Sequence, residues 1–288
     1  KGRVSLGPAI GESWIGGVVE GCVTRSVRDT AAVMDAISGY EAGDPNTPPL
    51  PLRPYVSEVG AKVEKLRVGL LSGPLMAGGL DHPEARESVA ATGKLLERLG
   101  HHVEVASPAA LGEAEFGDMF LAIVIAHIAN DVAALEKSFG VSLTTDDIEP
   151  GNHLMAQFGN ATNVVAYLSA VTWMQAWTRR VVSWWLPRDG KNAFDILVTP
   201  TLAGPPPKIG ALSGDDSTDR IREIMQYTAQ FNMTGQPAIS LPLHMSASGL
   251  PMGVQFVGAP YREDVLLRLA AQLEAAAPWS GRRPAVHA

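Results

Sequence analysis

The segment from Leu66 to Val105 restricts the fold more than any other. Leu66-Arg67-Val68-Gly69-Leu70-Leu71 reads as a strand, and Pro83 to Leu99 as a helix with Val89, Leu95, Leu96 and Leu99 on one side, stopped at Gly100. His102-Val103-Glu104-Val105 follows as a second strand. A strand, a helix and a strand in so short a span form a parallel pair, and a parallel sheet has to be covered on both faces. The rest of the chain supplies the cover. A helix opens on Ser26-Val27-Arg28-Asp29, which has capping-box spacing, repeats Val27, Ala31, Met34, Ile37 and Ser38 at helical spacing and stops before Gly39, and about 111–186 is largely helical. Ile196-Leu197-Val198 is a strand ended by Thr199-Pro200-Thr201. Arg220 to Phe231 is a helix, Ala238–Leu241 and Met252–Val257 are strands, and a last helix runs from about Arg262 to Ala277. Gly43 to Pro54 holds five prolines and reads as an extended surface connection. The expected class is α/β, one domain with a mostly buried sheet flanked by helices, and residues 278–288 as a flexible tail.

The 288 residues are 46% hydrophobic and 18% charged, so a large core forms and wholesale disorder is excluded. A formal net charge of -7 argues against nucleic acid as a partner, since phosphates require a basic face. The one cysteine, Cys22, excludes an intrachain disulfide and a cysteine-based zinc site, and a reducing, cytoplasmic setting is expected. The densest apolar run, Met119 to Ala129, is about half of the roughly 20 residues a membrane span needs, so it reads as a buried core helix and no membrane is expected. The opening KGRVSLGPAIGESWIGG lacks a signal-peptide pattern and an initiating Met, and reads as an internal cut.

Most catalytic templates are missing. The seven histidines (His82, His101, His102, His127, His153, His244 and His287) form no helical metal pair, and His127 reads as a satisfied core residue. No phosphate-cradling glycine loop and no G-x-S-x-G elbow occurs. The acidic run Asp215-Asp216-Ser217-Thr218-Asp219 lacks the glycine and closing glutamate of a calcium loop, and reads as the cap of the helix near Arg220. Neither a metal nor an organic cofactor is expected. Trp173, Trp177, Val181 and Trp184 fall on one helical stripe with Trp185 beside it. That pattern fits core packing first, and the wall of an apolar pocket second.

Three segments together resemble the amidase signature family of serine hydrolases. They are Gly21 to Ile37 (GCVTRSVRDTAAVMDAI), Phe194 to Thr201 (FDILVTPT), and Tyr227 to Val257, with TAQFNMTGQPAISLP followed by GLPMGVQFVG. The closing EDVLLRLAAQLE and the opening GRVS are similar as well. The resemblance covers nearly the whole chain and is weakest over about 111–190. It implies a mixed-sheet amidase fold, of which this chain is the C-terminal portion, and a Ser-cisSer-Lys triad that hydrolyses an amide through an acyl-enzyme. The only Gly-Gly pairs are Gly16-Gly17, followed by Val18, and Gly78-Gly79, followed by Leu80, so the family's Gly-Gly-Ser nucleophile is absent. By family order the whole triad lies upstream of Lys1, and no catalytic residue is assigned within the chain.

The resemblance places Tyr227, Thr228, Phe231 and Asn232 near the acyl pocket, with Thr228 and Phe231 foremost and helix-end packing as the equal alternative. Trp173 and Trp177 are candidates for the apolar wall of a site for a linear acyl, alkyl or aryl amide. Arg25 and Asp29 are spaced to pair on the first helix. Cys22 stands where the family usually has Pro, and reads as a small buried apolar residue. Three readings remain: part of an amidase, a non-catalytic scaffold, and an amidotransferase-type subunit. The partners expected are a small amide, the missing N-terminal segment and, as an open option, a second copy in a homodimer. Without that segment the sheet is expected to keep an unpaired edge, and the chain alone to be poorly soluble or molten.

Overall fold

The computed structural model describes residues 1–75, 79–187, 193–212, 217–224 and 226–284. The strand–helix–strand segment folds as β1 (Arg67–Leu70), α2 (Pro83–Arg98) and β2 (His102–Val105), after an earlier helix α1 (Val27–Ile37). β1 and β2 are parallel, with Val68 opposite Val103. His82 caps α2 by accepting from the Glu84 N–H at 3.2 Å, and Pro83 takes the first helical position, where a missing N–H costs nothing. A side chain at Gly93 would run into Leu70, so the glycine sets how closely α2 lies on the sheet.

β3 (Ile196–Pro200) pairs parallel with β1 on its other side. β4 (Ala238–Met245) and β5 (Pro251–Gly258) add antiparallel pairs, giving the order β2-β1-β3-β5-β4. The sheet is therefore mixed. Its side chains alternate between two apolar layers, as the two-residue period of a strand requires. Val68, Ile196, Val198, Val254 and Phe256 meet α1, α2 and α8 (Glu263–Ala276) on one face. Leu197 and Val257 meet Phe116, Trp177, Trp185 and Phe231 on the other. The second layer is built from α3 (Phe116–Phe139), α4 (Pro150–Ala161), α5 (Val164–Val182) and α7 (Ala229–Thr234), with α6 (Ser217–Ile224) preceding α7.

Several expectations need correction. Thr199 and Pro200 do not follow β3 but belong to it, opposite Gln255 and Val254, with Pro200 as its last residue. The single helix read over Arg220–Phe231 is two, α6 and α7. Between them the Gln226 side chain donates to Glu223 O at 3.1 Å, and the Tyr227 carbonyl accepts from Gln255 Nε2 at 2.8 Å, so backbone acceptors that would extend the helix are used by side chains. Of the acidic run, Asp215 and Asp216 lie outside the described residues, while Ser217 to Asp219 form the first turn of α6. Arg25, read as a partner of Asp29, donates instead to the carbonyls of Ser280 and Arg282. Residues 278–284 are tied to the body by that contact, by Trp279 Nε1 donating to Arg25 O at 3.0 Å, and by Arg282 donating to Pro242 O at 2.6 Å. Residues 285–288, His287 among them, and 76–78, with Gly78, lie outside the described residues.

The apolar run 119–129 is the first half of a 24-residue helix, which ends on Gly140 in the left-handed region (φ 70°). α3 is not the buried core helix expected: it is long and apolar enough to cross a membrane by length and composition, and only 17% of that stretch is buried. His127 on it is half-buried, its Nε2 3.2 Å from the Tyr167 hydroxyl. α4 lies against α3 at Gly159, where an added methyl would overlap the Ile125 carbonyl oxygen and the Ala129 side chain. Trp177 and Val181 are buried within α5, whereas Trp184 and Trp185 lie past its end, on a 3-10 turn.

The polar clamp of the first layer is Glu58, buried beside the Pro-rich connection. Arg53 holds its carboxylate through two bonds of 2.7 Å, and Arg268 of α8 adds a third. These hydrogen bonds, Arg53's first, outweigh desolvation and hold its pKa down to about 2, against 4.5 for a free glutamate. Because the folded value lies below the unfolded one, the stabilisation is complete above about pH 4.5 and disappears as pH falls toward about 2. Glu58→Gln is expected to cost about 1–2 kcal/mol at pH 7, since it removes the charge that two guanidiniums hold while Arg53 stays open to solvent. Urea unfolding from pH 7 to 2.5 should show its deficit shrinking through that acid range. Gly159→Ala is expected to destabilise by about 1–2 kcal/mol, although alanine is the better helix former by about 1 kcal/mol, because the α3–α4 contact has no room for a methyl. The same titration at neutral pH measures it.

Candidate functional site

A cleft of about 1010 Å³ opens along the outer edge of β4. β4 pairs with β5 on one side and ends the sheet on the other, so among the described residues no strand covers its outer edge. Pro242 falls where the β4–β5 register shifts, between Leu241 and His244; a proline is tolerated there because it has no N–H to give the ladder. Facing β4 across the cleft are the loop leading into α1, from Val19 to Ser26, and the opening residues Lys1 to Val4. The tail closes one end with Trp279, Arg282 and Arg283.

The polar groups of the cleft are mostly engaged. Arg3 is held by Glu263 through bonds of 3.0 and 3.3 Å. The Lys1 backbone nitrogen donates to Gly235 O at 3.0 Å. Ser240 Oγ lies 2.7 Å from Thr201 Oγ1, and Ser26 Oγ accepts from the Asp29 N–H, capping α1. Among the described residues Ser240 thus meets a hydroxyl and Ser26 an amide, with no lysine or histidine bonded to either to take the proton a serine nucleophile must lose. Cys22 is half-buried on the cleft wall and not fully buried as expected, its Sγ 4.0 Å from Thr30 O. Among the described residues no three histidine, cysteine or acidic side chains converge as metal ligands.

The six residues singled out from the sequence fall in two places. Phe231, buried, and Asn232, half-buried, line the cleft from α7. Tyr227, Thr228, Trp173 and Trp177 do not line it. Tyr227 is buried behind α7; its hydroxyl donates to Gly73 O at 3.0 Å, and burial pushes its pKa up to about 12. Thr228 caps α7, its carbonyl accepting from the Phe231 N–H at 3.1 Å. Trp177 is fully buried and donates its indole N–H to Ala110 O at 2.8 Å; Trp173 stacks on it, 6.1 Å between ring centres. Trp177 and Phe231 nevertheless share one apolar cluster, which joins the tryptophan stripe to the inner wall of the cleft. The β4 edge and the tail arginines escaped the sequence reading. The strand itself was legible as Ala238–Leu241, but its place at the end of the sheet depends on strand order, for which one sequence carries no signal.

A family model described as Amidase matches residues 1–267. The chain is 37% identical over 297 residues to the 6-aminohexanoate-cyclic-dimer hydrolase of Pseudomonas sp. (strain NK87), and 36% identical to that of Paenarthrobacter ureafaciens. Both alignments take in 99% of this chain and 59% of the relative, so the chain spans about three fifths of the length of these proteins. A solved 6-aminohexanoate cyclic dimer hydrolase superposes with a TM-score of 0.91 at 35% identity, covering 98% of this chain and 60% of that one. A bacterial aryl acylamidase shares the fold, with a TM-score of 0.80 at 21% identity. The chain belongs to the amidase family.

Proposed function

We propose that this chain is the scaffold and substrate-facing part of an amide hydrolase whose nucleophile arrives on an upstream segment seated along β4. The observation that carries the reading is the open β4 edge. The relatives align with 99% of this chain yet are longer by about two fifths of their own length, and the sheet stops at a strand whose outer edge faces a cleft large enough for further strands. An unpaired, apolar edge of this kind is costly to leave open. The upstream segment supplies a serine, a middle serine and a lysine. The lysine takes the serine's proton through the middle hydroxyl, the serine oxygen adds to the amide carbonyl, and backbone N–H groups hold the oxyanion. The C–N bond then breaks, the amine leaves with the proton, and water releases the acyl group. No metal or organic cofactor takes part. Phe231 and Asn232 meet the acyl chain from α7, and the stripe of Trp173 and Trp177 behind Phe231 fixes that wall.

The substrate class is an alkyl amide. The names of the relatives extend the linear amide expected from the sequence to a cyclic one built on 6-aminohexanoate. The proposed setting is the cytoplasm, which keeps the free thiol of Cys22 reduced. A second reading, a non-catalytic scaffold, is favoured by the absence of any Gly-Gly-Ser from the 288 residues.

A fluorophosphonate probe and the 6-aminohexanoate cyclic dimer separate these readings. The 288-residue chain alone is expected neither to take the label nor to hydrolyse the dimer. A longer chain carrying an upstream Gly-Gly-Ser segment is expected to do both, labelled upstream of Lys1, with Phe231→Ala lowering kcat/KM about 10-fold or more. Labelling at a serine within the 288 residues would contradict the upstream nucleophile. An inert longer chain would favour the scaffold.

A further inference from the structure

Two neighbouring residues of the turn Trp14–Gly16 hold a backbone conformation that their side chains disfavour. Trp14 (φ 50°) and Ile15 (φ 52°) both lie in the left-handed region, where a β-branched residue such as isoleucine is rare. Gly16 follows at φ 85°, and Gly17 closes the turn by donating its N–H to the Trp14 carbonyl at 3.0 Å. Glycine would take the same conformation at 14 and 15 without strain, and the turn already uses glycine at 16 and 17. A tryptophan and an isoleucine at the strained positions therefore point to a use for the side chains. Strain of this kind persists only where the surroundings fix it. Here Lys1, on the wall of the β4 cleft, donates from Nζ to the Ile15 carbonyl at 2.5 Å and pairs with Glu12 at 3.0 Å. On the other side a Cβ added at Gly17 would stand 2.7 Å from Met233 Sδ, so the turn lies directly on α7.

The turn puts Trp14 at the end of a row of rings. Its indole meets Phe120 edge-on with 6.4 Å between centres, Phe120 stacks on Phe116 at 5.7 Å, and Phe116 lies 4.6 Å from Trp177. Phe116, Trp177 and Phe231 belong to one buried cluster, and Trp14 packs on it half-buried. Trp14 thus carries to the surface the same apolar layer that Phe231 carries to the cleft. Resting on the amide-hydrolase reading, we propose that Trp14 selects the acyl chain of the substrate. An alkyl chain that passes Phe231 continues onto the open part of the indole, and the strained turn holds the ring in its path. An indole presents a large, flat apolar area, so each methylene laid on it strengthens binding, whereas a short acyl group does not reach it. Lys1 is a positioning residue: it holds the Ile15 carbonyl and, through the turn, the ring.

The test uses a longer chain carrying the upstream Gly-Gly-Ser segment and two fluorophosphonates, one with a hexyl and one with a methyl group on phosphorus. The quantity read is the ratio of their labelling rate constants, which a loss of folded protein does not change. Wild type should favour the hexyl probe about 10-fold or more, as expected for methylenes placed in an apolar site. Trp14→Ala should lower that ratio about 10-fold, and Trp14→Phe should keep it within about 3-fold of wild type. Lys1→Met, which keeps an apolar stem but loses the bond to Ile15, should lower it about 3-fold. A ratio unmoved by Trp14→Ala, or lowered as far by Trp14→Phe, overturns the proposal, and a ratio unmoved by Lys1→Met overturns the part given to the turn. Equal labelling of wild type by the two probes overturns it as well. A wild type labelled by neither probe would instead overturn the amide-hydrolase reading, and this proposal with it.

Discussion

The structure depends on β3 and β5 being covered on both faces at once. Neighbouring residues of β3 serve different layers: Ile196 and Val198 are buried under α1, α2 and α8, while Leu197 between them is buried under α5 and α7. The same division separates Phe256 from Val257 on β5. A shift of one residue in either strand would exchange the two sets, so the register is fixed by both layers together. Everything that bears on function is positioned from these two strands. The Gln255 side chain, on β5, donates to Thr199 on β3 at 2.9 Å and to the Tyr227 carbonyl at 2.8 Å, which ends one helix and starts α7 where Phe231 and Asn232 can face the cleft. Gln226 then holds the chain after β1, accepting from Leu75 N–H at 2.9 Å and donating to Leu80 O at 2.8 Å.

The molecule is closed at its centre and open at one side. Both apolar layers pack on the middle strands, but among the described residues β4 pairs with one neighbour only. The wall opposite it is a loop and a tail fastened to each other, Trp279 to the Arg25 carbonyl and Arg25 to the carbonyls of Ser280 and Arg282. Backbone hydrogen bonding left over at a sheet edge is a general invitation to another strand. With relatives of greater length sharing the fold, the open side is where the proposed catalytic segment fits.

What the sequence disclosed follows the range of the forces involved. The segment 66–105 was legible because its signals are local: alternating apolar residues, a proline opening the helix and a glycine closing it. The capping serine before α1 was legible for the same reason, and Ser26 accepts the Asp29 N–H at 3.1 Å. The break between α6 and α7 was hidden, because it depends on Gln255, 28 residues beyond Tyr227. The exposure of α3 was hidden too. An apolar helix reads the same whether its partner is in the chain or outside it. Of the candidate site, Phe231 and Asn232 lie on the cleft, whereas Tyr227 and Trp177 have their polar atoms spent on Gly73 and Ala110 carbonyls. Side-chain type and family resemblance could not distinguish those fates.

The account stands on β4 being an edge only until an upstream segment arrives. Amide hydrogen exchange across Ala238–Met245, compared between the 288-residue chain and a longer chain bearing that segment, tests this directly. The account predicts fast exchange at the outward-facing amides of β4 in the 288-residue chain and strong protection in the longer one, with β3 and β5 protected in both. Equal exchange at β4 in the two chains would contradict it.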